Sequence, residues 1–315
     1  VSGIILYSKK EDELTDKDYS VKRLLSAARF RGIKLDVLVP SQFELVVTNL
    51  DEKSILVDDH PIPIPDFIIP RMGSDTTFYA FSIIRHLEYL GTYVCNNAHS
   101  IYSVKDKLYM HQKLASSKLA TPKTMLAKFP SDIKVVKREI GFPLVIKNVT
   151  GTQGTGIYLC ESEDKFQDVM ELIYSNNPKA NIILQEFIEK SAGQDIRVFV
   201  VGGKVIGCMK RSSKTSFKAN YSKGGKVSEY KLTPELEWLS TEAAKFLELD
   251  IAGVDLLFDD NGFKICEANS SPGFHGLEDV VGKTVAETIL DYILIKIGMN
   301  IEDQSYEKIQ EVKDV

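Results

Sequence analysis

Long apolar runs are missing from this 315-residue chain. None approaches the ~18–20 residues that a membrane-crossing helix needs. The first residues also lack the basic flank and apolar stretch of an export signal. Cysteine is scarce: Cys95, Cys160, Cys208 and Cys266 are the four. No two are spaced C-x-x-C, and each lies in an apolar, strand-like run, which argues against a zinc site or a disulfide framework. Buried free thiols in a reducing compartment are expected, and with them a cytoplasmic location. Charge of one sign is not in excess. A net charge of −5 excludes a general nucleic-acid binder or membrane-surface protein while leaving room for a local basic groove. Internal repeats and low-complexity stretches are absent.

What is present has the composition of an ordinary globular protein, at a length suited to two domains or one domain with lobes. Val1 to Tyr7 reads as a buried strand, Tyr19 to Arg31 as a helix with apolar Val21, Leu24, Leu25 and Ala28, and Lys34 to Val39 as a second strand. A turn at Asp58-Asp59 precedes a strand at Phe67 to Pro70. A helix over Phe78 to Leu90 then stops at Gly91. This alternation predicts a small parallel α/β domain over 1–103. From 104 the style changes. Helices are predicted at Lys105 to Ser117, Ser131 to Ile140, Glu163 to Tyr174, Pro234 to Leu247 and Lys283 to Ile297. Between them lie strands at Leu144 to Val149, Gly156 to Cys160, Ile182 to Ile188, Ile196 to Val201, Lys204 to Lys210, Ala252 to Phe258 and Phe263 to Ala268. A second domain over 104–300, with lobes at about 122–188 and 189–300, and a charged tail at 301–315 complete the expected organisation.

Two predicted hairpins carry chemistry. The first runs from Pro143-Leu-Val-Ile-Lys147 through Gly151-Thr-Gln-Gly-Thr-Gly156 to Ile157-Tyr-Leu-Cys160. A dinucleotide fingerprint needs a helix after its glycines, and here a strand follows. A glycine-rich turn between antiparallel strands can instead lay backbone N–H groups over phosphates, with Lys147 neutralising their charge. A plain glycine-rich hairpin with a surface lysine would read the same way. In the second hairpin, Ala252-Gly-Val-Asp255 and Phe263-Lys-Ile-Cys-Glu267-Ala-Asn269 flank a turn at Asp259 to Gly262. Asp255 and Glu267 stand six residues either side of Asn261, so pairing brings them opposite each other to within a residue. Asn269 shares a strand face with Glu267. Carboxylates in apolar strands require compensation. A hard cation with oxygen ligands supplies it, and Mg²⁺ between these groups and nucleotide phosphates fits best. Nearby arginines satisfying the two carboxylates are the rival reading.

Between the hairpins, Ile183-Leu-Gln185-Glu186-Phe187-Ile188 is an apolar strand ending in acceptors, either an adenine-binding edge or ordinary core. Asp195 and Arg197 face one way along the next strand. Arg197, Lys210 and Arg211 put cations into a stretch that otherwise reads as core. Ser212 to Gly225 is a polar, basic loop, either a lid or a plain solvated connection.

These segments, in this order, resemble the ATP-grasp superfamily and, within it, the RimK-type amino-acid ligases. The resemblance is carried by Asp106-Lys107-Leu108, the two hairpins, Gln185 to Ile188, Asp195-Ile-Arg197, Phe217-Lys-Ala-Asn220 and Glu267-Ala-Asn-Ser-Ser-Pro-Gly273. In the N-terminal part it is carried by Ile69-Pro-Arg-Met-Gly73, Phe78-Tyr79 and Leu90-Gly-Thr-Tyr93. It covers nearly the whole chain to about Gly298. It implies an α/β (α+β ATP-grasp) fold, in which a small N-terminal parallel α/β domain precedes two ATP-grasp lobes whose antiparallel sheets enclose ATP. By the same resemblance Lys107, Lys147, Gly151, Gln153, Gly154 and Gly156 hold the nucleotide phosphates. Glu186, Phe187 and Ile188 meet the adenine, largely by backbone, and Asp195 the ribose. Lys218 and Asn220 approach the triphosphate. Asp255, Glu267 and Asn269 bind the metal, Arg197 and Arg211 stabilise the acyl phosphate and its transition state, and Ser271 to Gly273 floor the substrate end. Met209-Lys210-Arg211, Lys218, Phe274 and His275 depart from the better-known ribosomal-protein glutamate ligases.

The implied activity is an ATP- and Mg²⁺-dependent carboxylate–amine ligase acting through an acyl phosphate, with Mn²⁺ as a substitute ion. Its implied substrates are an amino acid, glutamate foremost, and a carboxylate on a protein C-terminus, a peptide or a small molecule. Its implied assembly is a homo-oligomer. A ligase of cofactor or amino-acid biosynthesis with another acceptor is a second reading. A non-catalytic ATP-binding regulatory module on the same fold is a third. The presence of all the metal ligands and both lysines speaks against the third.

Overall fold

In the computed structural model the described residues are 1–49, 54–73, 76–149, 156–219, 225–282 and 284–299. Two compact units form. One comprises Val1–Ile101, Leu249–Ile251 and the chain from Ser270 onward, and the other comprises Tyr102–Glu248 and Ala252–Asn269.

The first unit begins with β1 (Ser2–Leu6), α1 (Tyr19–Phe30) and β2 (Lys34–Leu38). It continues through three short strands, β3 (Phe43–Leu45), β4 (Ile55–Val57) and β5 (His60–Pro61), to β6 (Phe67–Pro70), α2 (Phe78–Tyr89), β7 (Tyr93–Val94) and α3 (Ala98–Lys105). The parallel sheet has the order β2-β1-β6-β7. Ile4, Ile5 and Leu6 are all buried, as expected of a central parallel strand covered on both faces. Gly3 is required here, because a Cβ would fall 2.3 Å from the Phe67 ring. The Asp58-Asp59 turn joins β4 to β5 with both residues at positive φ, 49° and 64°.

The second unit runs through α4 (Lys107–Ser116), β8 (Thr124–Leu126), α5 (Ile133–Glu139), β9 (Leu144–Asn148), β10 (Ile157–Cys160), α6 (Glu163–Asn176) and β11 (Ile182–Glu186). It continues through β12 (Gln194–Val201), β13 (Lys204–Ser212), β14 (Lys226–Glu229), α7 (Pro234–Phe246), β15 (Ile251–Asp259) and β16 (Gly262–Asn269). Its strands make two antiparallel sheets, ordered β10-β9-β11-β8 and β14-β13-β12-β15-β16. Leu144, Ile146, Phe166, Ile182 and Leu184 fill the core beneath the first sheet. The chain ends in α8 (His275–Val281) and α9 (Val285–Lys296), which belong to the first unit. There α9 lies along α1, joined by Arg23 to Glu287 at 2.7 Å and Arg31 to Asp291 at 2.8 Å.

Several boundaries differ from the sequence expectation. The helix expected over Lys105 to Ser117 begins two residues late, at Lys107, because Asp106 takes an extended backbone and its carboxylate caps α4 by accepting from the Tyr109 N–H at 2.9 Å; Lys105 instead ends α3, which was not anticipated. The strand expected to reach Ile188 stops at Glu186, and α8 and the short strands β3 to β5 were not anticipated. Among the described residues no helix is long and apolar enough to cross a membrane.

Candidate active site

The β15/β16 hairpin sets two carboxylates side by side, and a bulge is the reason. Near the turn the register is Asp259↔Gly262 and Leu256↔Ile265. Continued unchanged, it would set Asp255 against Cys266 and turn Glu267 to the opposite face. The register instead shifts between Asp255 and Leu256, so Asp255 faces Glu267 and Gly253 faces Asn269. The extra residue is Cys266, and re-aiming a side chain is what a bulge of this kind does.

The neighbouring strands continue this face. On β12 and β13, Asp195 pairs directly with Arg211, and Arg197 lies two residues further along β12. Arg211 grips Asp195 through Nε and Nη2, both at 2.7 Å. Arg197 grips Asp255 in the same forked way, Nε to Oδ1 at 2.6 Å and Nη2 to Oδ2 at 2.7 Å, and Arg211 Nη2 reaches Asp255 Oδ2 at 2.9 Å. Burial pushes the Asp255 carboxyl up, but the two guanidinium groups outweigh it and hold it below the ordinary carboxylate range. The rival reading, arginines satisfying the carboxylates, therefore describes Asp255 as it stands. It does not exhaust Asp255, because a carboxylate offers about four lone-pair sites and these contacts use three. Asp195 is committed to Arg211 by both oxygens rather than presented bare to a sugar.

Glu267 has a different partner. Its Oε1 lies 3.3 Å from Lys107 Nζ, at the first turn of α4. Its side chain keeps 33% of its exposure, whereas Asp255 is almost sealed at 8%. Asn269 Nδ2 donates to the Gly253 carbonyl at 3.3 Å, which leaves the amide oxygen as the outward acceptor. Asp255, Glu267 and Asn269 thus present hard oxygen donors on one sheet face, as Mg²⁺ requires. Among the described residues no group of three or more His, Cys, Asp or Glu could hold a metal unaided.

Lys147 is the cation of the other sheet. It is 8% exposed, and its ammonium donates to Gln185 Oε1 at 2.6 Å and contacts Cys266 Sγ at 3.5 Å. No carboxylate partners it among the described residues. Gln185 lies on β11 two residues beyond Ile183, the partner of Lys147; its Nε2 donates to Thr124 Oγ1 at 2.9 Å and lies 3.0 Å from His111 Nε2. Burial, then the nearby Lys147 and Lys107 charges, pull the His111 imidazole down to about 3. In its neutral form with the proton on Nδ1, the ring accepts at Nε2 from the Gln185 amide, and that arrangement turns the Gln185 carbonyl towards Lys147. The sequence reading gave His111 no part; a polar Gln in an otherwise apolar strand was the available signal. Among the described residues, the carboxylates Asp195, Asp255 and Glu267 meet the cations Lys107, Lys147, Arg197 and Arg211, three against four.

At the predicted adenine edge, Glu186 Oε1 accepts from the Lys123 N–H at 2.8 Å and from Lys264 Nζ at 2.7 Å. Phe187 meets Phe217 edge to face at 6.3 Å, and the Ile188 carbonyl accepts from the Ser191 N–H. Lys218 has its ammonium 5.4 Å from the Phe217 ring centre. At Gly156 a φ of +69° demands glycine. Gly151, Gln153, Gly154 and Asn220 lie outside the described residues.

Comparison with known proteins agrees with this chemistry. The RimK-like ATP-grasp domain family matches residues 104–293, and the RimK PreATP-grasp domain family matches residues 13–101. A probable alpha-L-glutamate ligase 2 of Shewanella baltica (strain OS155 / ATCC BAA-1091) is 40% identical over 277 residues, covering 87% of this chain and 91% of the relative. The RimK domain protein ATP-grasp from Sphaerobacter thermophilus DSM 20745 superposes with a TM-score of 0.72 at 21% identity, covering 93% of this chain and 100% of that one. The ATP-grasp ligase PsnB, solved with a precursor variant, Mg and ADP, superposes with a TM-score of 0.70 at 18% identity over 93% and 97% of the two chains. Matched along most of its length by both families and by relatives at this identity, the chain belongs to the RimK-like ATP-grasp family.

Proposed function

We propose that this ATP-dependent carboxylate–amine ligase activates a carboxylate as an acyl phosphate and couples it to the amine of an amino acid, glutamate foremost. A protein C-terminus, a peptide or a small molecule supplies the carboxylate. The observation that best supports this reading is the sheet face where Asp255 opposes Glu267 within a surplus of buried cations. Such a face favours a polyanion accompanied by a divalent ion. Lys107 and Lys147 hold the phosphates of ATP. Asp255, Glu267 and Asn269 would hold Mg²⁺, with Mn²⁺ as a substitute, and the ion would supply charge neutralisation for the phosphates.

Chemistry proceeds in two displacements. A substrate carboxylate oxygen attacks the γ-phosphorus, and the bond to the ADP oxygen breaks with its electron pair leaving on ADP. The amine nitrogen then attacks the acyl carbon, phosphate departs with the C–O electron pair, and the amine proton passes to solvent. Arg197 and Arg211 are fixed by their carboxylate partners, so they offer positive charge to both steps without reorganising. Asp195 serves first to hold Arg211. No protein nucleophile is required.

The four free thiols support a reducing, cytoplasmic setting. A homo-oligomer is expected by analogy within the fold. The deciding experiment supplies ATP, Mg²⁺, pooled amino acids including labelled glutamate, and a lysate as the source of carboxylates. Amino-acid-dependent phosphate release, with products heavier by glutamate residues, is expected. Absence of substrate-dependent release from every pool would favour a nucleotide-binding regulatory module.

A further inference from the structure

Arg71 stands directly after β6, and its N–H continues the sheet by donating to the Leu6 carbonyl at 2.9 Å. This is the carboxyl end of the parallel sheet. With strand order β2-β1-β6-β7, the chain leaves β1 towards β2 and returns on the other side at β6, so the topological switch lies between β1 and β6. Ligands of open α/β sheets bind in the crevice at that point.

The side chain there is unusual. Arg71 is 9% exposed, and its Nη2 donates to the Pro272 carbonyl at 2.9 Å. Its guanidinium lies 5.9 Å from the centre of the buried Phe274 ring. Its Nε has no hydrogen-bond partner, and no carboxylate pairs with it among the described residues. Arg211, the other buried arginine among the described residues, is forked onto a carboxylate. A buried, unpaired guanidinium with an orphaned donor is costly. Burial accordingly pulls its pKa down to about 10.

We propose that Arg71, held by Pro272 and Phe274, binds a carboxylate of the amino-acid substrate, the one that the reaction does not activate. The proposal rests on the ligase reading above and adds to it the residue that selects the substrate. A single guanidinium matches the single charge of a carboxylate, whereas a phosphate dianion would leave negative charge uncompensated. A forked pairing also occupies the oxygens it holds, which suits a group being positioned and not one that must attack phosphorus. The site therefore discriminates an amino acid with a free carboxylate from its amide, since the amide would leave Arg71 unpaired.

The test uses the full chain without ATP and titrates glutarate, an unreactive dicarboxylate, with inorganic phosphate as the competing anion. Wild type is expected to bind glutarate, Arg71→Met to lose about tenfold or more in affinity, and Arg71→Lys to fall between them. Equal glutarate affinity in wild type and Arg71→Met, no glutarate binding by wild type, or displacement by equimolar phosphate would each overturn the proposal. Melting without ligand separates a purely structural role. Removing an unpaired buried charge should leave the midpoint of Arg71→Met at or above the wild-type value, and a clear fall with glutarate affinity intact in Arg71→Lys would assign Arg71 to loop support. Phosphate release with amino acids is measured separately on wild type. If it is absent while glutarate binding depends on Arg71, the ligase reading fails and the anion site stands. If it is present while Arg71→Met binds glutarate normally, the reverse holds.

Discussion

Asp255 and Glu278 are both buried carboxylates, 5% and 4% exposed, and both hold arginines, yet their surroundings assign them different work. Glu278, in α8 of the first unit, accepts from Tyr19 Oη at 2.8 Å, from Arg23 Nε at 2.9 Å and from the Val285 and Ala286 N–H groups at 3.0 and 3.4 Å. The last two open α9, where helix N–H groups lack intrahelical acceptors. One carboxylate thus ties α8, α1 and α9 together. Burial, and then Glu278, push the Tyr19 hydroxyl up to about 12, so it remains a donor throughout the physiological range. Among the described residues Asp255 receives hydrogen bonds from guanidinium side chains alone, on a face it shares with the half-open Glu267. Donors drawn from backbone and several helices make a carboxylate part of the frame. Donors that are side chains around a second carboxylate leave it available to a ligand.

Substitution should separate the two cases. Asp255→Asn is expected to do the most damage. It strands Arg197 and leaves Arg211 with Asp195 as its one carboxylate, costing roughly 3–5 kcal/mol of stability, and it lowers turnover by about 10³-fold. Urea midpoints and phosphate release measure the two losses. Glu267→Gln should lower turnover by about 10²–10³-fold with an unchanged urea midpoint, because its carboxylate is half open and pairs with one lysine. A Glu267→Gln enzyme at full activity would remove Glu267 from the site. Glu278→Gln should show the opposite pattern, a loss of about 3 kcal/mol with kcat per folded molecule unchanged. Loss of kcat at constant stability in that variant would erase the distinction.

How much of this was legible in the sequence follows from the range of the forces involved. The parallel first sheet, the two antiparallel hairpins and the closeness of Asp255 to Glu267 follow from short-range periodicity and turn chemistry. The bulge at Cys266 was not legible. Counting six residues either side of Asn261 reached the right pair only because the bulge offsets a turn that lies at Asp260-Asn261. The pairing of Arg197 with Asp255 joins residues 58 apart in sequence, and that of Arg23 with Glu278 joins residues 255 apart. Only strand order and helix packing bring such residues together, and neither is written in local pattern. Asp106 shows the limit at short range: a capping carboxylate inside a helical pattern set the start of the expected helix at Lys107 and separated it from α3.

The same contrast extends to a buried group with no charge to pair. His111 is 4% exposed and lies beside Lys147 and Lys107, and its pKa falls from 6.5 to about 3. A depressed folded pKa means that the unfolded chain binds the proton more readily between these two values. The stability that His111 contributes is therefore fully present above pH 6.5 and is lost as pH falls from there towards 3. By pH 5 the loss from this group should be about 2 kcal/mol. Urea midpoints of wild type and His111→Gln followed from pH 7.5 to 5 isolate it, since the acidic residues titrate equally in both. The wild-type curve should fall more steeply by that amount. Parallel curves would mean that the imidazole is not held neutral, and the orientation of Gln185 towards Lys147 would lose its cause.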